Sequence, residues 1–269
     1  MKRLLFLTSQ NTPTAAAIIR ELLTQCSDCT LDARFEMPRR TWKSRIKAQI
    51  KHLRKNGLLW IPYRVWAACR AVARESREMF FPTSKPRSLF DSEDDLRLRF
   101  GVRFSLDVKE NFHAEDFLRQ VAEAKYDLGI VFGTRILKQC LFALPAHGMI
   151  NIHQGIIPDY RGMPPAFWEL YNDAPETGVS IHEVSELLDG GDLLAQQRIP
   201  LDGKSTLSEV QTKLDNLAVS LIPQTVQSVL TNSVTRKKTS LELGKCYTQP
   251  TVNERFTFWW RTLLGRKRH

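Results

Sequence analysis

The chain has 269 residues, enough for one large domain or for a domain with an appendage, and its apolar content is ordinary for a globular protein. Five cysteines, odd in number and irregularly spaced, argue against a disulfide framework and for a reducing cytosol. No segment approaches the ~20 apolar residues that a membrane-spanning helix needs. The formal net charge of +10 is concentrated, since Arg39 to Glu78 carries twelve Lys or Arg against only Glu75 and Glu78.

Met1 to Leu7 mimics the start of a signal peptide, but polar residues follow at once, and residues 3 to 8 read instead as a first buried strand. Thr12 supplies an N-cap and Pro13 a first helical residue, with Ile18, Ile19, Leu22 and Leu23 as the buried stripe. A strand near Leu31 to Phe35 continues the pattern of a doubly wound sheet. No GxGxxG follows the first strand, so a dinucleotide is not expected. Cys26 and Cys29 form a lone CxxC, which without a second pair does not predict zinc.

From Arg39 to about Arg87 the pattern changes. Ile46, Ile50 and Leu53 recur at i, i+4 and i+7 among Lys and Arg, which predicts a basic amphipathic helix stopped near Gly57. Leu58 to Phe81 is a second helical segment, interrupted by Pro62 and carrying Trp60, Tyr63, Trp66, Met79 and Phe80. The simplest arrangement is a hairpin with a solvated cationic face. The alternatives are contact with an anionic membrane surface or with a phosphate-rich substrate.

Strand and helix then alternate at the spacing of a parallel sheet. The expected elements are a strand over Val102 to Val108, a helix from about Ala114 to Lys125, a strand over 127 to 132, a helix from Ile136 to Leu144, and a strand opening at Gly148. Asp192 to Pro200 reads as another strand. Thr206-x-x-Glu209 is a capping box for a helix whose apolar face is Leu207, Val210, Leu214, Leu217 and Leu221. Phe256, Phe258, Trp259, Trp260, Leu263 and Leu264 follow among basic residues, either docked on the domain or lying on a membrane. The expected fold class is α/β, a Rossmann-like, doubly wound, mostly parallel sheet with a basic helical insert and a short C-terminal extension. The expected division is a catalytic domain over 1–205, insert at about 39–88, and a helix with a basic aromatic tail over 206–269.

The strand opening at Gly148 ends in Asn151 and His153, two apart and so on one face, at a strand tip where α/β sheets place ligands. Asp189 comes from a later loop, Leu188-Asp189-Gly190-Gly191-Asp192. An amide, an imidazole and a carboxylate converging there suit acyl transfer. His182, on an alternating strand without a partner motif, reads as structural. His52, His113, His147 and His269 carry no signal.

In this order, Asp127 to Gly133, Arg135-Ile136-Leu137, Asn151 to Gly162, Pro165 to Trp168, Glu176 to Ile181 and Leu188 to Gly191 resemble the folate-dependent formyltransferase family. The resemblance spans about Val102 to Leu201. It implies transfer of a formyl group from 10-formyltetrahydrofolate to a primary amine, without a metal. Asn151 would donate to the formyl oxygen, His153 would act as a charged imidazole and proton carrier, and Asp189 would raise the pKa of that imidazole. The folate crevice would be bounded by Gly133, Arg135, Ile136 and Leu137 and closed by Val184, Ser185 and Glu186. One departure is Gly155, after Gln154, where the family has Ser; it bears on substrate-side contacts.

Methionyl-tRNA formyltransferases resemble this catalytic half but carry a C-terminal β-barrel, whereas the residues after Ser205 begin with a helix, so tRNA is disfavoured. A nucleotide- or lipid-linked amino sugar for surface polysaccharide suits the cationic, Trp-bearing surface and is the expected acceptor. The alternatives are a methionyl-tRNA formyltransferase-like enzyme, a hydrolase of the same folate and a non-catalytic scaffold that binds a membrane or a partner. The expected location is cytoplasmic, with peripheral attachment to the inner membrane face as a variant.

Overall fold

The computed structural model describes residues 1–39, 41–80, 88–202, 204–240, 242 and 244–264, with 71–80 as backbone. The chain divides into two compact units, Met1–Pro38 with Arg87–Thr248 and Arg39–Pro86 with Gln249–His269.

β1 (Lys2–Thr8) is buried on both faces from Leu4 to Leu7, as its unbroken apolar run requires. α1 (Pro13–Gln25) is capped by Thr12, whose Oγ1 accepts the Ala15 N–H at 3.4 Å, and buries the expected Ile18, Ile19, Leu22 and Leu23. β2 (Cys29–Glu36) pairs parallel with β1. The chain then enters the second unit as α2 (Trp42–Asn56), which ends at Gly57 with φ +61°, and α3 (Trp60–Phe80). Pro62 does not interrupt α3. It sits in the first turn, where N–H groups have no helical acceptor and its missing donor costs nothing. Phe81, expected at the end of this segment, lies outside the described residues.

The first unit resumes with α4 (Glu93–Phe100), β3 (Phe104–Lys109), α5 (Glu115–Ala124), β4 (Leu128–Phe132), α6 (Gln139–Phe142) and β5 (Met149–His153). It continues through β6 (Tyr160–Gly162), α7 (Phe167–Tyr171), β7 (Glu176–Glu183), β8 (Leu193–Pro200), α8 (Leu207–Leu230) and β9 (Lys245–Tyr247), and α9 (Val252–Leu263) returns to the second unit. The main sheet has the order β3-β2-β1-β4-β5-β7-β8. Its first five strands are parallel and β7 and β8 are antiparallel, while β6 and β9 form a separate parallel pair. This is a mostly parallel, Rossmann-like α/β sheet flanked by helices. One face of the sheet carries an apolar cluster that includes Leu5, Leu7, Phe117, Val131, Leu137 and Met149.

One expectation shifts. The helix expected over 136–144 shortens to α6, because Leu137 is drawn into the apolar cluster and Lys138 keeps an extended backbone before the first turn. α8 lies within the first unit, where it buries Val210, Leu214, Ala218, Ile222 and Val226. The Thr206–Glu209 capping box opens α8, with reciprocal hydrogen bonds of 3.2 and 2.8 Å. Among the described residues, no helix is long and apolar enough to cross a membrane.

Candidate active site

β5 carries Asn151 and His153 on one face, and the register of the antiparallel partner β7 sets His182 directly across from Asn151. The Asn151 amide donates from Nδ2 to His182 Nε2 at 3.1 Å, and His182 Nδ1 donates to the Glu183 carbonyl at 2.8 Å. That donation fixes the tautomer and leaves Nε2 as the acceptor. Asp189 then comes from the loop after β7, with Oδ2 3.6 Å from His153 Nδ1 and Oδ1 3.6 Å from His182 Nε2. Its backbone is left-handed, φ +49°, a conformation that a short polar residue tolerates. The Gly162 N–H donates to Asp189 Oδ2 at 2.7 Å and aims the carboxylate.

The structure therefore brings Asn151, His153 and Asp189 together, and it adds His182. Read as structural from sequence alone, His182 is buried at the centre of the cluster, bonded to Asn151 and beside Asp189. Only the β5–β7 register reveals this.

His153 Nε2 donates to the Tyr160 carbonyl at 2.7 Å. Burial is the strongest influence on this imidazole and lowers its pKa below the ordinary 6.5, and the opposing pull of Asp189 and the Tyr160 carbonyl does not recover it. This corrects the expectation of an imidazole raised by Asp189: the carboxylate acts in the expected direction, but desolvation is larger. The resting imidazole is neutral, with its proton on Nε2 and the Nδ1 lone pair facing Asp189. Burial would by itself raise the Asp189 carboxyl, yet the His182 and His153 rings, in their protonated forms, and the Gly162 N–H bring it down to about 2, and it stays ionised.

The loop after β5 is built around Ser180 of β7. The Ser180 hydroxyl donates to the Gly155 carbonyl at 2.7 Å and accepts the Ile157 N–H at 3.2 Å, while Gln196 of β8 bridges Ser180 and the Ile157 carbonyl. Gln154 donates to Asp215 of α8 at 2.7 Å. A Cβ at Gly155 would lie 2.6 Å from His153 Nε2 and 2.7 Å from the Tyr160 carbonyl, so glycine lets the loop pass close beneath the imidazole.

Two loops flank the cluster. Gly133 follows β4 with φ +61°, Ile136 is exposed, and Leu137 is buried in the cluster against which Val184 also packs. Arg135 turns to Glu36, donating from Nε at 2.9 Å and from Nη2 at 2.5 Å, so its guanidinium braces the loop from beneath. Glu36 is buried; the desolvation that would raise its carboxyl is outweighed by Arg135, the Phe112 N–H and Ser9, and its pKa stays below the ordinary range. On the other loop, Ser185 Oγ donates to the Leu187 carbonyl at 3.1 Å, Glu186 is exposed, and Leu187 and Leu188 expose apolar side chains. Ile136, Leu187 and Leu188 leave apolar side chains exposed on these loops.

A third wall was not foreseen as a unit. Tyr160 stacks on Tyr247 at 5.3 Å and 11°, Tyr247 stacks on Trp168 at 5.0 Å and 26°, and Lys245 lies 5.1 Å above the Tyr247 ring. The β6–β9 pair assembles this stack, joining residues 85 positions apart (Tyr160 and Lys245) by register.

The fold is a mostly parallel Rossmann-like α/β sheet with a buried polar cluster at the ends of β5 and β7. The family model described as "Formyl transferase" matches residues 71–226, more than half of the chain, which belongs to that family. Methionyl-tRNA formyltransferase of Bacteroides fragilis is 32% identical over 125 residues, 46% of this chain and 39% of that protein. The chain thus spans about two fifths of this curated relative. Among solved structures, a sugar N-formyltransferase from a Shewanella species aligns with TM-score 0.60 at 16% identity, covering 96% of this chain and 87% of its own. An N-formyltransferase from Helicobacter canadensis, in complex with folinic acid and dTDP-3-aminofucose, aligns with TM-score 0.56 at 11% identity over 93% and 71%.

Proposed function

We propose that the chain transfers a formyl group from 10-formyltetrahydrofolate to the primary amine of an amino sugar, nucleotide- or lipid-linked. The observation that carries this reading is the Asn151–His153–Asp189 cluster at the strand edge, held by His182 and Tyr160. One Asn151 amide hydrogen is committed to His182; the other is available for the oxyanion that forms when the amine attacks the formyl carbon. Neutral His153 takes the amine proton on Nδ1, and Asp189 stabilises the imidazolium so formed. The C–N bond to folate N10 then breaks, and the proton returns to N10 as tetrahydrofolate leaves. The proposed folate crevice keeps Gly133, Ile136, Leu137 and the 184–186 loop as its lining, with Arg135 in a supporting place. No step requires a metal.

The aromatic wall of Tyr160, Tyr247 and Trp168 supports a sugar or nucleotide on the acceptor side, because flat rings stack on bases and on sugar C–H faces. The Helicobacter neighbour's complex with a nucleotide-linked amino sugar supports the same choice. A second reading, initiator methionyl-tRNA as acceptor, is favoured by the name of the Bacteroides relative and by the cationic second unit.

The test is tetrahydrofolate release from 10-formyltetrahydrofolate, alone and with a panel of nucleotide-linked amino sugars or with methionyl-tRNA, following formylated product by mass. Release that depends on an amino sugar supports the proposal. Release with methionyl-tRNA only moves the acceptor to the second reading, and formate release without any amine makes the chain a hydrolase.

A further inference from the structure

The second unit carries a charge and an apolar surface that formyl transfer does not use. Its two segments, Arg39–Pro86 and Gln249–His269, hold eighteen Lys or Arg and three Glu, a formal charge of +15, whereas the rest of the chain sums to −5. Two of its helices bury nothing: no residue of α2 or α9 is buried.

The apolar side chains are grouped on helix faces. On α9, Phe256, Trp259, Trp260, Leu263 and Leu264 fall at i, i+3, i+4, i+7 and i+8, and each is at least 47% exposed. Arg255 and Arg261 flank this stripe. The helix is firmly started by its Thr251–Glu254 capping box, and its Val252 N–H donates to Asn56 Oδ1 at 2.8 Å, joining α9 to the end of α2. On α2, Ile46, Ile50 and Leu53 lie exposed among Lys43, Lys47, Lys51 and Arg54. Leu58, just before α3, and Ile61, Val65 and Trp66 in its first turns are exposed. Alongside them runs a ladder of rings, with His52 stacked on Trp60 at 4.5 Å, Trp60 against Tyr63, and Tyr63 against Trp66. Arg64 and Arg70 cover the Trp60 and Trp66 rings at 5.7 and 5.4 Å.

We infer that this unit docks the protein on an anionic phospholipid surface, with the α9 stripe inserted among the acyl chains and the cations at the headgroups. The chemistry selects this occupant. Large exposed aliphatic side chains flanked by Arg and Lys gain free energy in the interfacial layer of a bilayer, and Trp settles there. A nucleic acid would neutralise the cations but offers no hydrocarbon to Leu58, Ile61, Leu263 or Leu264. A second copy of the chain would bring the same +15 unit against this one. The inference does not depend on which amine the active site formylates.

The test is flotation of the full chain with phosphatidylcholine vesicles, with and without phosphatidylglycerol, together with the tryptophan emission maximum. Binding to the anionic vesicles alone, with a blue shift in emission, is the expected result. The combined variant Phe256→Glu, Trp260→Glu and Leu263→Glu should lose on the order of tenfold or more in partition. Lys43→Gln, Lys47→Gln and Lys51→Gln together should cost roughly fivefold per cation near the surface. Far-UV circular dichroism and unchanged formyl transfer to a soluble acceptor establish that both variants are folded. Absence of binding to anionic vesicles at low salt overturns the inference. So does binding that survives the three glutamates, which would mark adsorption by charge alone. Preference for polyuridylate over vesicles assigns the surface to nucleic acid, and concentration-dependent dimerisation abolished by the three glutamates assigns it to self-association; either result overturns lipid docking.

Discussion

Among the four polar side chains of the site, burial and close neighbours set the protonation of two, His153 and Asp189. Asn151→Ala removes the donor to the formyl oxygen, and on the proposed mechanism turnover should fall roughly 100- to 1000-fold with the unfolding midpoint little changed. Near-normal turnover in the release assay would remove Asn151 from the mechanism. Because burial places the His153 pKa below 6.5, activity should be flat through neutral pH and fall only as acid protonates Nδ1. A kcat/KM profile that rises from pH 7 toward 6 would instead require a charged imidazole. Gly155→Ala tests the packing beneath His153. Its methyl group would press on Nε2 and on the Tyr160 carbonyl, so activity should drop more steeply than thermal stability. Asn151, His153 and Asp189 were legible in sequence because an i, i+2 pair at a strand end and a later Asp-Gly-Gly turn leave a local pattern. His182 was not, since nothing near it in the chain records which strand will lie opposite.

At the element scale, α7 holds a carboxyl that makes stability pH-dependent. Glu169 is buried and accepts a hydrogen bond from Thr177 Oγ1 at 3.0 Å, and burial raises its pKa from 4.5 to about 7. The folded state thus binds the proton more tightly than the unfolded chain. The stabilisation is complete below about pH 4.5 and is lost as pH rises through about 7, amounting to on the order of 3 kcal/mol across that window. Glu169→Gln keeps an acceptor for Thr177 without the charge, so urea denaturation at pH 5 and pH 8 should give nearly equal stabilities for the variant and a clear loss at pH 8 for the parent. Helix caps and strand cores were well marked in sequence: Thr12-Pro13, Thr206-x-x-Glu209 and the Leu4–Leu7 run all form as their local chemistry dictates. The short α6 was not, because a helical pattern from 136 onward competes with burial of Leu137, and burial prevails.

For the whole molecule, the boundary between the units matters most. α8 packs in the first unit and braces the active-site loop through Gln154–Asp215 and through Gln211, which donates to the Pro165 carbonyl at 3.2 Å. Leu214→Ala, at a fully buried position of α8, should therefore destabilise the catalytic unit by about 2–5 kcal/mol, read as a lower urea midpoint with a parallel loss of formyl transfer. A loss of α8 helicity that left the midpoint unmoved would show that α8 is not part of the first unit's cooperative core.

Period, capping and strand-end position made most of the alternating strands and helices, the parallel character of the sheet, the basic amphipathic segment and Asn151, His153 and Asp189 as candidate site residues legible in the chain. Tertiary structure alone decided the rest. The antiparallel register of β7 on β5 set His182 across from Asn151, the β6–β9 pairing stacked Tyr160 on Tyr247, and burial outweighed Asp189 in fixing His153 as neutral. Register and desolvation are sums over residues distant in the chain, and no local pattern carries them.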